Sequence, residues 1–155
     1  MTINCAGTLI DLNTPKVMGI LNQTPDSFYD GGRYSNPKAV LDRVEQMLFN
    51  GASFIDIGGY SSRPGAPEVS EQEELNRVIP TINTVVKAFP DAVISIDTFR
   101  SAVAKAAIDS GAAMINDISG GDRDPEIYRV AARHQVPYIL MHMRGTPQTM
   151  STLTD

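Results

Sequence analysis

Several residues that can bind metals, accept hydrogen bonds or transfer protons stand at the ends of short apolar runs in this sequence. Asn22 follows the run VMGIL, Asp97 closes VISID, Asn116 and Asp117 close AMIND, and His142 closes YILMH. If these runs are parallel strands, their carboxyl ends meet at one edge of the sheet, where α/β proteins place their binding residues. The spacing therefore predicts one polar site that is built from several strands.

A carboxylate and an amide form the centre of this predicted site. Asp97 could instead cap the following helix, although Thr98 or Ser101 could take that role. Adjacent strand residues point to opposite faces, so only one of Asn116 and Asp117 faces the site, and the phase favours Asn116. Asp97 beside Asn116 suits a flat heterocycle that bears amino and ring N–H donors. A ring without those donors would leave buried polar groups unpaired and would be rejected.

Two loops follow the first two predicted strands. The segment from Thr24 to Tyr34 is longer than the ~2 to 6 residues usual between a strand and a helix, and such loops often cover binding sites. The second loop, GGYSSRPG, combines glycines and hydroxyls with Arg63, whose planar guanidinium can bind a carboxylate or a phosphate. Asn22, before the first loop, could ligate a hard cation through its amide oxygen. The simpler interpretations are a turn cap for Asn22 and an ordinary turn for the second loop.

The elements that must position these residues alternate between strand and helix, which predicts an α/β fold with a parallel sheet. The strands are almost continuously apolar, as expected for strands covered on both faces. Cap residues and terminal glycines mark the helix ends. We predict five strands at 17–21, 54–58, 93–97, 113–117 and 138–142, and four helices at Asn36–Gly51, Ser70–Val86 with a kink at Pro80, Ser101–Asp109 and Asp124–His134.

Both an open doubly wound sheet and part of a (βα)₈ barrel fit five strands and four helices. An open sheet concentrates its ligand groups at one switch point, whereas here every strand contributes a polar residue, which favours the barrel. A complete barrel usually takes ~250 residues. We therefore expect residues 1–155 to form the N-terminal part of one TIM-barrel domain of the α/β class, with five parallel strands and four helices.

Composition narrows the classes of function. The 155 residues carry a net charge of -5 without a Lys or Arg cluster, which argues against nucleic acid and anionic membranes as partners. No apolar run approaches the ~20 residues that span a bilayer, the N-terminus lacks signal-peptide features, and the single Cys5 has no internal disulfide partner. We therefore expect a cytoplasmic protein. Zinc-site spacings, GxGxxG, Walker and GxSxG motifs do not occur, so the sequence does not indicate a zinc site, a dinucleotide site, a P-loop nucleotide site or a Ser-His-Asp hydrolase.

Taken together, five segments resemble the dihydropteroate synthase family in the order in which they occur. They are ILNQTPDSFYDGG at 20–32, GGYSSRPG at 58–65, IDT at 96–98, INDI at 115–118 and LMHM at 140–143. The resemblance implies a pterin-binding TIM barrel that condenses 6-hydroxymethyl-7,8-dihydropterin diphosphate with 4-aminobenzoate. It also implies release of pyrophosphate, a requirement for Mg²⁺, inhibition by sulfonamides and a possible homodimer.

The same resemblance implies a role for each matching residue. Asp97 and Asn116 would bind the pterin edge, Met141 and Ile118 would wall its ring, and Asn22 would ligate Mg²⁺ with Ser62 facing the diphosphate. The remaining residues come from the two loops and would shape the aminobenzoate pocket. Phe28 and Pro64 would bind the substrate, and Asp30 and Arg63 would be catalytic. No nucleophilic side chain is required, because the protein mainly stabilises leaving-group charge and orients the amine.

Two departures and two alternatives accompany the resemblance. Ser62 stands where Thr is usual and Tyr60 where an acidic residue is common. The family's later pterin-binding Asp, its Ser-Arg-Lys and its Arg-x-His have no match before Asp155, so we expect this chain to be inactive alone. A folate-dependent methyltransferase pterin domain would lack both loop motifs. A noncatalytic or degenerate pterin-binding homologue would bind pterin without turnover.

Overall fold

The computed structural model describes residues 1–23, 36–60 and 68–142. Two β-strands precede an alternating series of strands and helices. The strands are β1 Thr2–Cys5, β2 Thr8–Asp11, β3 Val17–Asn22, β4 Ala52–Gly58, β5 Ile94–Asp97, β6 Met114–Asp117 and β7 Tyr138–Leu140. The helices are α1 Pro37–Phe49, α2 Glu71–Ala88, α3 Ser101–Asp109 and α4 Glu126–His134.

The central sheet has the strand order β3-β4-β5-β6-β7, and all four pairings are parallel. Each strand therefore lies beside the next one in sequence, with a helix in each connection. A doubly wound sheet would reverse this order at a switch point, whereas a (βα)₈ barrel keeps it. The prediction of five parallel strands and four helices in a partial barrel is confirmed. β7 is shorter than predicted, so Met141 and His142 lie just beyond it.

The first two helices begin where the sequence places their capping residues. Asn36 Oδ1 accepts hydrogen bonds from the backbone N–H groups of Lys38 and Ala39, at 3.0 and 3.4 Å, and Pro37 occupies the first helical position of α1. Ser70 Oγ accepts from Glu73 N at 3.2 Å at the start of α2. This helix continues for 18 residues and contains Pro80. Among the described residues, no helix combines the length and apolarity needed to cross a membrane.

The main core lies between the sheet and its helices. One face of the central strands carries aliphatic side chains that are completely buried, namely Leu21, Ile55, Ile57, Ile94, Ile96 and Ile115. They form one cluster with the inner faces of all four helices. Burial of each such side chain stabilises the fold by about 1.5 to 3 kcal/mol. Because this face carries the core, the opposite face of the sheet is free to carry polar residues.

An N-terminal hairpin, β1–β2, is an element that the sequence analysis missed. Ala6 and Gly7 both have positive φ, 50° and 97°, which suits the tight turn between two antiparallel strands. Cys5 packs with Phe54, Val93 and other apolar residues in a second cluster. The hairpin therefore covers apolar surface near the amino ends of β4 and β5. Gly7 could have indicated the turn in the sequence. The two strands were harder to predict, because four residues are too few to show a clear alternation of apolar and polar side chains.

Truncating Ile96 should test the division between the two faces of the sheet. Ile96 is fully buried against the helices, whereas Ile20 on β3 is 51% exposed on the opposite face. We expect Ile96→Ala to lower the free energy of unfolding by about 2 to 5 kcal/mol, because it leaves a cavity. Ile20→Ala, the matched control, should cost less than about 1 kcal/mol. Urea denaturation measures both, and equal costs would contradict this assignment of faces.

Candidate functional site

Four neighbouring strands bring Asn22, Gly58, Asp97 and Asn116 into one row at their carboxyl ends. In the register of the sheet, Asn22 pairs with Gly58, Gly58 with Asp97, and Asp97 with Asn116. Register partners in a parallel sheet project to the same face. The structure therefore brings together three of the predicted site residues, and it confirms Asn116, rather than Asp117, as the residue on this face. We call these four residues the polar row.

Gly58 leaves a gap in the middle of the polar row. A Cβ atom placed on Gly58 would lie 3.2 Å from Asp97 Oδ2 and 3.5 Å from Asn22 Oδ1. These are the two oxygens that a side chain at position 58 would obstruct. Gly58 therefore keeps open the space between the predicted metal ligand and the predicted ring-binding carboxylate.

Asp97 carries the carboxylate of the polar row, and no described cationic residue pairs with it. Its side chain is partly buried and makes no hydrogen bond or ion pair within 1–23, 36–60 and 68–142. Burial, followed by the charges of Asp56, Glu74 and Asp117, raises the pKa of Asp97 to about 7. Asp97 does not cap α3, because Thr98 Oγ1 accepts the hydrogen bond from Arg100 N at 3.2 Å. The carboxylate is thus available to a ligand.

A second polar layer lies beneath the row, and the sequence analysis did not single it out. Asp56 and Ser95 are register partners two residues before Gly58 and Asp97, and they are 2% and 0% exposed. Asn116 Nδ2 donates a hydrogen bond to Asp56 Oδ2 at 3.0 Å. Among the described residues, Asp56 Oδ1 and Ser95 Oγ have no hydrogen-bond partner. The available signal was a polar residue at period two within each apolar strand.

Burial raises the pKa of Asp56. Ser95 and Asn116 offset part of this rise in the pKa of Asp56. Ser95 contributes even though its hydroxyl has no hydrogen-bond partner among the described residues in this conformation. After burial, the charge of Asp56 is the largest cause of the raised pKa of Asp97. The two carboxyl groups are therefore electrostatically linked, and a ligand that donates hydrogen bonds would relieve their repulsion.

Asp117 points to the opposite face and organises the loop that follows β6. Its carboxylate accepts four hydrogen bonds, from Ser119 N, Ser119 Oγ, Gly121 N and Tyr138 Oη, at 2.6 to 2.9 Å. Its backbone oxygen accepts from Met141 N at 3.2 Å. Asp117 therefore ties together the two segments that carry the predicted ring-wall residues, Ile118 and Met141.

The two ring-wall residues and His142 differ in their surroundings. Ile118 is partly buried and packs against Tyr60, Val69 and Phe99. Met141 is 40% exposed, and His142 is exposed. Both lie past the end of β7, at the same edge of the sheet as the polar row. No structural observation gives His142 a role in the site.

A buried ion pair holds the segments on either side of the second loop. Glu74 on α2 is fully buried, accepts a hydrogen bond from Thr98 Oγ1 at 2.6 Å and pairs with Arg100. Arg100 also donates to Val69 O at 2.7 Å, and its guanidinium lies 5.6 Å from the ring of Tyr60. Tyr60 and Val69 flank residues 61–67, so Arg100 links both sides of that loop to the end of β5. The sequence does not indicate this role, because Glu74 belongs to an acidic first turn whose side chains are usually exposed.

Five predicted site residues lie outside the described residues: Phe28, Asp30, Ser62, Arg63 and Pro64. The residues that precede their loops are nevertheless adjacent, because Asn22 pairs with Gly58 and Gln23 N donates to Gly58 O at 2.7 Å. Both loops therefore start beside the polar row. Asn22 contributes one amide oxygen, and the described residues contain no group of three His, Cys, Asp or Glu side chains that could hold a metal.

Comparisons with known proteins agree with this arrangement. A family model described as pterin binding enzyme matches residues 18–155. The dihydropteroate synthase of Synechocystis sp. is 54% identical over 139 residues, which are 90% of this chain and 48% of that protein. The Yersinia pestis dihydropteroate synthase, solved in a sulfonamide drug complex, has a TM-score of 0.86 at 46% identity, covering 98% of this chain and 55% of the other.

A third similar protein is the Xanthomonas albilineans dihydropteroate synthase in complex with 7,8-dihydropteroate. It has a TM-score of 0.80 at 40% identity, over 93% of this chain and 52% of the other. The chain thus spans about half the length of these three proteins.

The pKa of Asp97 leads to a prediction about stability. Burial raises the pKa of Asp97 from its ordinary value of 3.8 to about 7. At a pH between these two values, the folded chain therefore binds up to one more proton than the unfolded chain. The free energy of unfolding should therefore fall as the pH rises through this interval, by up to about 1.4 kcal/mol for each pH unit. Asp97→Asn removes the titrating group and should flatten the dependence between pH 5 and 7.

Urea denaturation at several pH values measures this slope. Asp109→Asn is the control, because the exposed Asp109 pairs with Lys105 and its pKa is lowered, so its titration lies below this interval. An unchanged slope in Asp97→Asn would contradict the assignment.

Proposed function

Because this chain belongs to the pterin-binding enzyme family, we propose that it forms the pterin-recognising half of a dihydropteroate synthase. In this reaction, the C–O bond between the pterin methylene and the diphosphate breaks, and the 4-aminobenzoate nitrogen forms a bond with that methylene. Pyrophosphate leaves with the bonding electrons, and the amine loses a proton. The reaction is proposed for the protein that carries this chain, and ring recognition is proposed for the chain itself.

The observation that carries this proposal is the pair of acceptors at the centre of the polar row. Asp97 lacks a donor among the described residues, and Asn116 is its register partner. The 2-amino group and the N3–H of a pterin form an edge with two adjacent donors. Charged hydrogen bonds of this kind contribute about 1.5 to 3 kcal/mol each. Together they would orient the ring with its methylene toward Asn22 and the two loops.

Asn22 has the chemistry of a magnesium ligand at the diphosphate end of the site. Its amide oxygen accepts no hydrogen bond from the described residues and borders the gap at Gly58. Mg²⁺ is usually held by one or two protein oxygens together with substrate phosphates and water. When bound, it would neutralise charge on the diphosphate. One amide oxygen beside an open gap fits that mode of binding.

The loops would supply the second substrate pocket. Both follow residues beside the polar row, Asn22 and Gly58, and we propose that residues of both contact the pterin methylene. Arg63 and Ser62 have the charge and the hydroxyl to bind anionic groups, and Phe28 and Pro64 have flat apolar surfaces for an aromatic ring. Asp30 would accept a hydrogen bond from the attacking amine. Holding the amine and the methylene in contact supplies much of the catalysis in a reaction without a protein nucleophile.

An activity assay tests the proposed reaction. We suggest a chimera in which this chain replaces the matching segment of the Synechocystis relative. We expect pyrophosphate release that requires Mg²⁺, 6-hydroxymethyl-7,8-dihydropterin diphosphate and 4-aminobenzoate. Asp97→Ala should lower turnover by about 100-fold or more, because the ring loses its orientation. Asp91→Ala, at an exposed position before β5, is the control. Pterin binding without turnover, or full turnover in Asp97→Ala, would contradict the proposal.

The neighbouring glycines Gly58 and Gly59 separate a site effect from a folding effect. A Cβ on Gly58 meets Asp97 and Asn22, whereas a Cβ on Gly59 would lie 2.9 Å from Val78 Cγ1 in the core. We expect Gly58→Ala to weaken binding of 6-hydroxymethylpterin about tenfold, or about 1.4 kcal/mol, with little change in stability. Gly59→Ala should instead lower the free energy of unfolding by about 1 to 3 kcal/mol. Calorimetry measures the binding and urea denaturation the stability of both variants. A loss of stability in Gly58→Ala with unchanged binding would contradict this prediction.

A further inference from the structure

We propose that Asp56 is a specificity-determining positioning residue, which holds the Asn116 side chain so that its oxygen faces the ligand. This inference rests on the proposed function, since the ligand in question is the pterin ring. It adds a residue that the polar row itself does not include. Asp56 acts through Asn116 and need not touch the substrate.

The hydrogen bond between the two side chains determines which atom of the amide is free. Asn116 Nδ2 lies 3.0 Å from Asp56 Oδ2. An ionised carboxylate can only accept hydrogen bonds, so the amide must turn its NH₂ group toward Asp56. Asn116 Oδ1 is then directed away from Asp56, and no described residue donates to it. The amide therefore presents an acceptor at the open side of the sheet.

Burial makes this orientation difficult to change. Asp56 is 2% exposed, and its other oxygen, Oδ1, has no partner among the described residues. Ser95 Oγ is likewise buried without a partner. If the Asn116 amide turned over, its oxygen would face the Asp56 carboxylate, and a second buried oxygen would lose its donor. An unsatisfied buried group of this kind costs about 1 to 3 kcal/mol, and more when it is charged.

The consequence is a site edge with two acceptors, from Asp97 and Asn116. Such an edge matches a ring edge with two donors, as in a 2-amino-4-oxo pteridine. A 2,4-dioxo pteridine has a carbonyl in place of the amino group, so it would place an acceptor against an acceptor. Sites that depend on buried hydrogen bonds discriminate strongly against such analogues. The preference for the 2-amino-4-oxo ring over the 2,4-dioxo ring therefore depends on Asp56, which lies in the layer beneath the polar row.

Replacing Asp56 by Asn should remove the constraint without changing the size of the side chain. An amide at position 56 can donate its own NH₂ to Asn116 Oδ1, which lets Asn116 turn over and present its NH₂ to the ligand. The experiment compares the affinities of 6-hydroxymethylpterin and 6-hydroxymethyllumazine for the Synechocystis chimera at pH 8. We expect the ratio of the two affinities to fall at least about tenfold in Asp56→Asn, toward the lumazine.

An exchange of the two residues provides the rescue. In the double variant Asp56→Asn with Asn116→Asp, the amide at 56 donates to one oxygen of the carboxylate at 116, and the other oxygen again faces the ligand. We expect the double variant to recover the preference for the pterin, and Ser95→Ala, which alters the same layer without contacting Asn116, to retain it. If Asp56→Asn does not fold, the double variant tests the inference by itself. It must then prefer the pterin to the lumazine as the unmodified protein does, and a loss of that preference would overturn the inference.

The outcomes separate this inference from the proposed function. If the unmodified chimera does not bind 6-hydroxymethylpterin, the proposed function fails. If it binds the pterin with a clear preference and Asp56→Asn leaves the ratio unchanged, only this inference fails. A ratio that falls in Asp56→Asn and is not restored by the exchange would show a merely structural role for Asp56, and would also overturn the inference.

Discussion

The in-register pairing of β3, β4, β5 and β6 is the constraint on which the site depends. It aligns residues at the carboxyl ends of four strands and, because side chains alternate, projects Asn22, Asp97 and Asn116 to one face. A shift of one residue in any strand would exchange its polar side chain with an aliphatic one from the core. The apolar face that packs on the helices, for example through Ile96, thus also holds the polar row in place.

Four carboxyl groups lie in or around the site, and their hydrogen-bond partners differ. Glu74 is paired with Arg100 and Thr98, and Asp117 accepts four hydrogen bonds. Asp56 has one donor, from Asn116. Asp97 has none among the described residues, and its pKa rises to about 7. Buried acids normally have partners, so Asp97, which has no donor in the part of the chain that the structure describes, is the one that a ligand can satisfy.

Two hydrogen-bond networks around the polar row connect segments that are distant in the sequence. Arg100 connects the end of β5 to both sides of residues 61–67, and Asp117 connects the loop after β6 to the segment after β7. Buried charged groups therefore hold Tyr60 and Val69, which flank residues 61–67, and the segment that follows β7.

The sequence alone determined the order of strands and helices from β3 onward, the helix caps at Asn36 and Ser70, and the residues at the strand ends, since these depend on local periodicity and hydrogen bonding. Only the tertiary structure showed that Asp56 lies under Asn116, that Glu74 is buried, and that the hairpin around Gly7 covers the amino ends of the strands. These facts depend on contacts between residues up to 60 positions apart. Local sequence patterns do not specify such contacts, because the register and packing of the whole sheet decide them.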